Sequence, residues 1–480
     1  ESLVLSLLGG LAGLLLGWWG TRALVALQPD GMLPVRDIAV NWTVVLYALG
    51  VTLVSGFLFG IAPALWGARR PPAEALKEGA AGTGTGLRVR RWSEGLVVVE
   101  VGLALLLTVG AGLLVRSFWR LTGVDPGFNP HGVLAVGLSL PDAKYDSTRV
   151  TVFLNQLEQR ARALPGAEEV AVVSGLPLTG AFYTTDFKAD GWPADRVGFE
   201  VAHRQAGPGY FHLMGVRLLR GRLFTDQDRQ GSAPVILINQ SLARQYFPGQ
   251  DPVGRRIAFD RVPDSTSTWH AIVGVVGDER QTDLATPSQI EVFSPQPQTY
   301  RTFWYLLVKT GGDPSGLAGG VRGIVASLDP TLALESAQTL DEVYARSLVQ
   351  RRFLLTLFMV FAGVGLALAA VGVYGVMAQL ARGRVREIGI RVALGARTGQ
   401  VQWLVVRRGL RLIAIGLGLG LVAALATTRL MTALLYQTSP SDPPTFLAVP
   451  ALLALTGLAA CWLPALRASR ANPVVALREG

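Results

Sequence analysis

Six stretches of this chain are too long and too apolar to stand in water: Leu3–Leu27, Trp42–Trp66, Leu96–Phe118, Phe353–Ala381, Leu410–Leu435 and Phe446–Leu466. A helix needs roughly twenty predominantly apolar residues to cross a bilayer. Only helices and closed barrels satisfy all their backbone polar groups there. The six windows therefore predict an α-helical membrane protein with six transmembrane helices. Charged residues make up only 16% of the chain and half of it is hydrophobic, whereas soluble domains carry about a quarter charged residues. Gly9, Gly10, Gly13 and Gly17, and likewise Gly416 and Gly420, recur at spacings of three and four. Small residues so spaced let helices approach closely in lipid.

The net charge of +10 does not form a nucleic-acid patch, because the basic residues sit beside the apolar runs. Arg69, Arg70, Lys77, Arg88, Arg90 and Arg91 lie between the second and third windows. Arg382, Arg384, Arg386, Arg391, Arg397, Arg407 and Arg408 lie between the fourth and fifth, and Arg467, Arg470 and Arg478 follow the sixth. One threading puts all three clusters on the cytoplasmic face, as the positive-inside rule requires. Arg116 and Arg120 then fall on the outer side, against that rule. The same threading leaves Leu121–Arg351 outside, as a large α+β extracytoplasmic domain.

Within that segment Val150, Phe153, Leu154, Leu157, Ala161 and Leu164 make a helical stripe behind Asp146 and Ser147, which can cap it. Val170–Val173, Val235–Ile238, His270–Val276 and Phe303–Val308 read as strands, with a short helix around Ser241–Tyr246. Asp313-Pro314 opens a helix bearing Leu317, Val321, Ile324, Val325 and Leu328 on one face. Pro263–Thr268 and Thr286–Thr299 read as loops.

The usual marks of covalent chemistry are missing. No stretch matches G-x-x-x-x-G-K-[ST], G-x-S-x-G or H-E-x-x-H. His131, His203, His212 and His270 lack metal-ligand spacing, and Asp226 with Asp228 reads as a solvated turn. The one cysteine, Cys461, lies in an apolar run, so no disulfide forms within the chain. The middles of the windows hold almost no ionisable residues, which argues against intrinsic ion coupling. These observations predict a chain that is not an enzyme and holds no cofactor or metal.

Two motifs remain. Pro63–Gly79 and Pro464–Gly480 agree without a gap at nine of seventeen positions, including Pro63 with Pro464, Arg69 with Arg470 and Leu76 with Leu477. Each copy follows a long apolar run, the trace of a duplicated membrane module. Between the fourth and fifth windows, Val385, Ile388 and Val392 share one helical face, while Arg384, Glu387 and Arg391 share another. Gly395 can end that helix and Thr398 can cap the next. Such a helix can rest on membrane lipid or serve as the handle for a soluble partner, and the spacing leaves both open.

Arg386-Glu387-Ile388-Gly389-Ile390-Arg391-Val392-Ala393-Leu394-Gly395-Ala396 resembles the "REIGIRxAxGA" segment of MacB/FtsX-type ABC transporter permeases. Pro464–Arg470 with Pro473, Ala476, Leu477 and Arg478 resembles that family's C-terminal ending. Pro208–Phe211, Met214-Gly215, Gly221-Arg222, Val235–Asn239 and Gly274–Gly277 are similar to its periplasmic core. The resemblance implies a permease of an ABC-type export or mechanotransmission system in the inner membrane. A separate cytoplasmic ABC ATPase would supply ATP hydrolysis, coupled through Arg386, Glu387, Ile388, Gly389, Ile390, Arg391, Gly395 and Ala396.

The family has four helices per unit, and the duplicated (ADOP-type) members carry two units. By that pattern 1–92 is the C-terminal half of a first FtsX-like unit, with two helices and a cytoplasmic tail, and 93–120 is the first helix of the second. Residues 121–351 are a MacB-like periplasmic core domain and 352–480 an FtsX-like permease domain with three helices. The first unit would then be N-terminally incomplete, and the lack of a basic leader before Leu3 fits a fragment. A periplasmic or outer-membrane partner, a homodimer, and pairing of duplicated units all remain open. So does a non-transporting FtsX-like relay that regulates a cell-wall hydrolase.

Overall fold

In the computed structural model the described residues are 2–26, 42–57, 85–180, 183–193, 195–260, 262–382 and 398–469. They fall into two compact units, Leu121–Gln350 and the chain on either side of it. The N-terminal helices are α1 (Ser2–Ala26), α2 (Trp42–Gly56) and α3 (Thr85–Thr122). Gly10 of α1 lies against Thr52 of α2, whereas Gly9, Gly13 and Gly17 have no described neighbour where a side chain would stand.

Four helical stretches among the described residues are long and apolar enough to cross a membrane: Arg91–Thr122, Leu340–Leu380, Val406–Leu434 and Pro443–Arg467. The second window yields a shorter apolar helix, Trp42–Val54. The expected count of six is thus met for four. Helix α1 covers the first window from Ser2 to Ala26 and α2 part of the second, and neither counts among those four.

The unit Leu121–Gln350 holds two lobes. Strand β1 (Val133–Ser139), helix α4 (Ser147–Arg162) and strand β2 (Glu169–Val173) open the first lobe. Asp146 caps α4 by accepting from the Arg149 amide at 2.8 Å, and Val150, Phe153, Leu154, Leu157 and Ala161 are buried as the stripe predicts.

The chain then leaves for the second lobe. It makes β3 (Tyr183–Ala189), β4 (Gly198–Ala206), the single turn α5 (Tyr210–Leu213), β5 (Leu218–Gly221), β6 (Val235–Asn239) and α6 (Gln240–Tyr246). Strands β7 (Arg256–Ala258), β8 (Trp269–Val276) and β9 (Glu291–Pro295) complete it. It returns through β10 (Phe303–Lys309), α7 (Ala318–Leu328) and β11 (Leu334–Thr339).

The first lobe is the antiparallel sheet β11-β1-β10-β2 with α4 and α7 packed on it. Two β-α-β passages interleave there, the split β-α-β arrangement of ferredoxin-like folds. In the second lobe the order β4-β3-β7-β8-β6-β9 closes on itself, because β9 also pairs in parallel with β4. The ring encloses Phe187, Val201, Ile236, Ile238, Ile257, Ile272 and Val292. Strands β2 and β4 meet at one pair, Val173 with Ala206.

Three local expectations change. Thr286–Thr299 holds β9 as well as loop: its Pro and Ser residues signal a turn, but pairing with β4 and β6 imposes an extended run on Glu291–Pro295. Asp228 is buried rather than solvated, accepting from Arg222 at 2.7 and 2.8 Å and from the Thr225 amide at 2.9 Å. Asp313 caps as expected, by accepting from the Ser315 amide, but the first turn is the 3₁₀ segment Pro314–Leu317.

Three helices close the chain: α8 (Leu340–Arg382), α9 (Thr398–Thr427) and α10 (Pro443–Ser469). Helix α8 starts well before its apolar window. Thr339 and Glu342 form a reciprocal capping box, at 2.8 and 3.1 Å, that fixes its start.

Candidate functional site

The segment that the sequence singles out, Arg386 to Ala396, lies outside the described residues, as do Pro63, Arg69, Leu76, Arg470 and Leu477. Pro464 is described, buried inside α10. The structure shows the helices before and after it in sequence: α8 ends at Arg382 and α9 begins at Thr398.

These helices pack through α3. A β-carbon on Gly416 of α9 would stand 2.8 Å from Val101, and one on Gly420 would stand 2.9 Å from the Gly102 carbonyl. Gly365 of α8 lies against Ala104. Gly112 faces Thr445 and Val449 of α10. The spacing of Gly416 and Gly420 thus does what small residues do in lipid, removing bulk where backbones meet.

Gly372 of α8 makes room for a group the sequence reading passed over, the Glu100 carboxylate of α3. Its Oε2 is buried without a hydrogen-bond partner among the described residues. The signal was a lone acid in the run Leu96–Gly102. An ionisable residue inside a span is a functional candidate by default.

Polar contacts tie the bundle at both ends. Arg408 of α9 reaches one oxygen of Glu94 on α3 through two nitrogens, at 2.7 and 3.0 Å. Near the same end, Arg467 donates to the Tyr374 hydroxyl at 2.6 Å. At the other end Arg116 meets Asp442 at 2.7 Å, and Arg120 donates to the Gln437 carbonyl. The two arginines that run against the positive-inside rule are therefore bound to the α9–α10 connection. Asp442 also caps α10, accepting from the Thr445 amide and hydroxyl. Burial resists its charge, but Thr445 and Arg116 hold its carboxyl below the ordinary range.

In the outer unit a guanidinium sits beside the joint between the lobes. Arg204 of β4 is buried against Glu279 and Glu291, and donates to the Tyr210 hydroxyl at 3.0 Å and the Gly175 carbonyl at 3.4 Å. Burial works against the Arg204 charge, yet the two carboxylates hold its pKa well above the usual value. One cation shared between two acids leaves Glu279 short of compensation. Burial first, with Glu291 adding to it and Arg204 opposing, pushes its carboxyl up. Nearby, the loop from Val124 to His131 with Arg217, Asp278 and Tyr344 lines a cavity of about 750 Å³, within the range of small-molecule sites. Gly127, at φ +85°, lets that loop press on the Asp278 carbonyl.

Two family models match this chain: MacB-like periplasmic core domain over residues 106–340, and FtsX-like permease C-terminal over residues 359–473. The chain belongs to the MacB/FtsX-type ABC permeases. The macrolide export ATP-binding/permease protein MacB of Rhodospirillum rubrum is 28% identical over 333 residues, 65% of this permease and 48% of that protein. MacB of Neisseria meningitidis serogroup A is 23% identical over 326 residues, with the same shares. The pyoverdine export ATP-binding/permease protein PvdT of Pseudomonas syringae pv. syringae is 27% identical over 355 residues, 68% of this chain and 50% of that protein. The permease spans about half the length of the curated relatives it matches. The periplasmic region of MacB from Actinobacillus actinomycetemcomitans aligns over 47% of this chain and 97% of its own, at 15% identity and a TM-score of 0.32.

Three histidines of the MacB/FtsX-type permease make separate local contacts. His131 meets Asp341 and His212 meets Glu169, each at 2.7 Å, and His203 bonds the Ser294 hydroxyl at 2.7 Å. Among the described residues no three His, Cys, Asp or Glu side chains gather as a metal site.

Proposed function

We propose that this chain is the permease part of an ABC-type export or mechanotransmission system in the inner membrane, coupling a cytoplasmic ATPase on a separate polypeptide to its extracytoplasmic domain. The observation that carries this reading is the joining, on one chain, of a MacB-like periplasmic core to an FtsX-like segment whose apolar helices pack glycine to backbone. Helices α1 and α2 serve in this reading as two further spans, giving six. The ATPase grips Arg386–Ala396, which lies in sequence between α8 and α9. Because α3 packs on both, a push at that segment has α3 to act through. ATP binding moves the outer domain only to the extent that the ATPase binds the two conformations with different affinity.

The test replaces Glu387 with Ala, or Ile390 with Asp, in membranes that also contain the cognate ATPase. Both substitutions are expected to abolish ATPase pull-down and stimulation while the permease stays folded. Retention of both would remove the coupling role. The cavity beside Val124–His131 is the place in the outer unit for a cargo or partner, and blocking it should stop export without loss of ATPase binding.

A further inference from the structure

Helix α9 carries no acidic residue, and its outer face presents two guanidiniums without a counter-charge. Trp403, Arg407 and Arg411 recur every four residues and so form one stripe along the helix. All three are exposed. Neither Arg407 nor Arg411 has a hydrogen-bond or charged partner among the described residues. Their neighbour Arg408 points elsewhere, to Glu94 of α3. The opposite face of α9 is packed. Gly416 and Gly420 lie against α3, while Gly409 meets Cys461 and Ile413 meets Gly457, both of α10. The stripe therefore points away from these helices, and beyond Arg411 it continues as the exposed side chains Ile415, Leu419 and Val422.

The position of Arg411 along the helix sets its depth. Arg411 and Arg429 bound the uncharged run Leu412–Thr428, and helix rise puts them about 27 Å apart. That is close to the thickness of a bilayer's hydrocarbon, about 30 Å. Arg411 thus stands where hydrocarbon gives way to headgroups, and Arg407 lies one turn farther out among them. A guanidinium at that depth is costly without an anion, and a phosphate matches its fork of N–H donors. The surface asks for a ligand with an anionic head beside the two arginines and an apolar body along Ile415, Leu419 and Val422. A soluble anion leaves the apolar part unused, and an acidic protein segment would have to enter the hydrocarbon to cover it. The amine of a zwitterionic lipid finds no carboxylate on α9, and Glu94 is already engaged by Arg408.

We propose that Trp403, Arg407 and Arg411 bind the headgroup of an anionic phospholipid. Its phosphate lies between the two guanidiniums, its acyl chains run along Ile415, Leu419 and Val422, and the Trp403 ring sits at the headgroup level, where amphipathic rings belong. The site needs α9 to cross the bilayer and does not depend on how an ATPase is coupled.

The test is native mass spectrometry of the full chain in detergent, offered equimolar phosphatidylglycerol and phosphatidylethanolamine with the same acyl chains. Phosphatidylglycerol should be retained in preference. Arg407→Gln or Arg411→Gln should each weaken its retention about fivefold, and the double variant about twentyfold or more, with phosphatidylethanolamine unaffected. Arg429→Gln removes the same charge from the chain just beyond the other end of α9 and should change nothing. Equal retention of the two lipids would overturn the proposal, as would an equal loss in Arg429→Gln, which would mean that net charge and not the stripe attracts the lipid. Unchanged lipid retention in the double variant, with ATPase pull-down lost, would also overturn it and give the stripe to a protein partner. Glu387→Ala should leave lipid retention intact, so the coupling reading and this one fail separately.

Discussion

Gly420 of α9 lies so close to Gly102 of α3 that a β-carbon on it would stand 2.9 Å from the Gly102 carbonyl oxygen and 3.0 Å from its Cα. The obstacle is backbone, which has no rotamer with which to move aside. Gly420→Leu is therefore expected to force the helices apart at a cost of about 1–3 kcal/mol. Gly418→Leu is the matched control, because nothing described lies within 4 Å of its β-carbon position. Thermal inactivation in nanodiscs should separate the two variants. Equal loss in both would show that the close approach carries no stability.

The bond between Arg408 and Glu94 is half-buried, with side-chain exposures of 32% and 17%. Two nitrogens on one carboxylate oxygen fix the rotation of α9 against α3 better than an exposed pair would. A double-mutant cycle with Arg408→Gln and Glu94→Gln should return a coupling energy of about 1 kcal/mol. Additive single effects would mean that the pair does not hold the helices in register.

Arg204 answers two buried carboxylates at once. Arg204→Met leaves Glu279 and Glu291 without a cation in the interior, and destabilisation of about 3–5 kcal/mol is expected. The triple variant with Glu279→Gln and Glu291→Gln should recover most of that loss, since its amides need no counter-charge. Chemical denaturation followed in the outer unit decides between the two results.

Glu158 on α4 supplies a pH signature. Burial pushes its carboxyl up to about 7, with Arg162 and the Val172 backbone opposing and Asp226 assisting. The native state then holds a proton that the unfolded chain, near 4.5, releases. Stability from this group is complete below pH 4.5 and is lost as pH rises through 7. A shift of this size corresponds to about 3 kcal/mol. Glu158→Gln should flatten the pH dependence of unfolding between about pH 5 and 8. An unchanged slope would refute the assignment.

Much of the fold is legible in particular residues. The stripe from Val150 to Ala161 gives α4 and its Asp146 cap, and Val235–Ile238 gives β6. Strand β9 is not legible, because Glu291–Pro295 carries a turn-like composition and gains its extended form from β4 and β6 on either side. The Thr339–Glu342 capping box was present in the sequence but masked by the apolar window downstream of it. For the candidate site, spacing marked Gly416 and Gly420, while nothing local distinguished Gly372, whose meaning depends on Glu100 lying across from it.

The sequence alone determined the membrane character of this permease and the two modules along it, because apolar length, basic punctuation and motif spacing are properties of consecutive residues. It also carried the REIGIR-like segment and the repeated exit phrase. Tertiary structure decided which partners those residues meet. Closure of β4 with β9 brings Arg204 to Glu279 and Glu291, 75 and 87 residues away. Contacts at such separation leave no periodic trace in sequence, since their energy arises only when burial strips water from both partners.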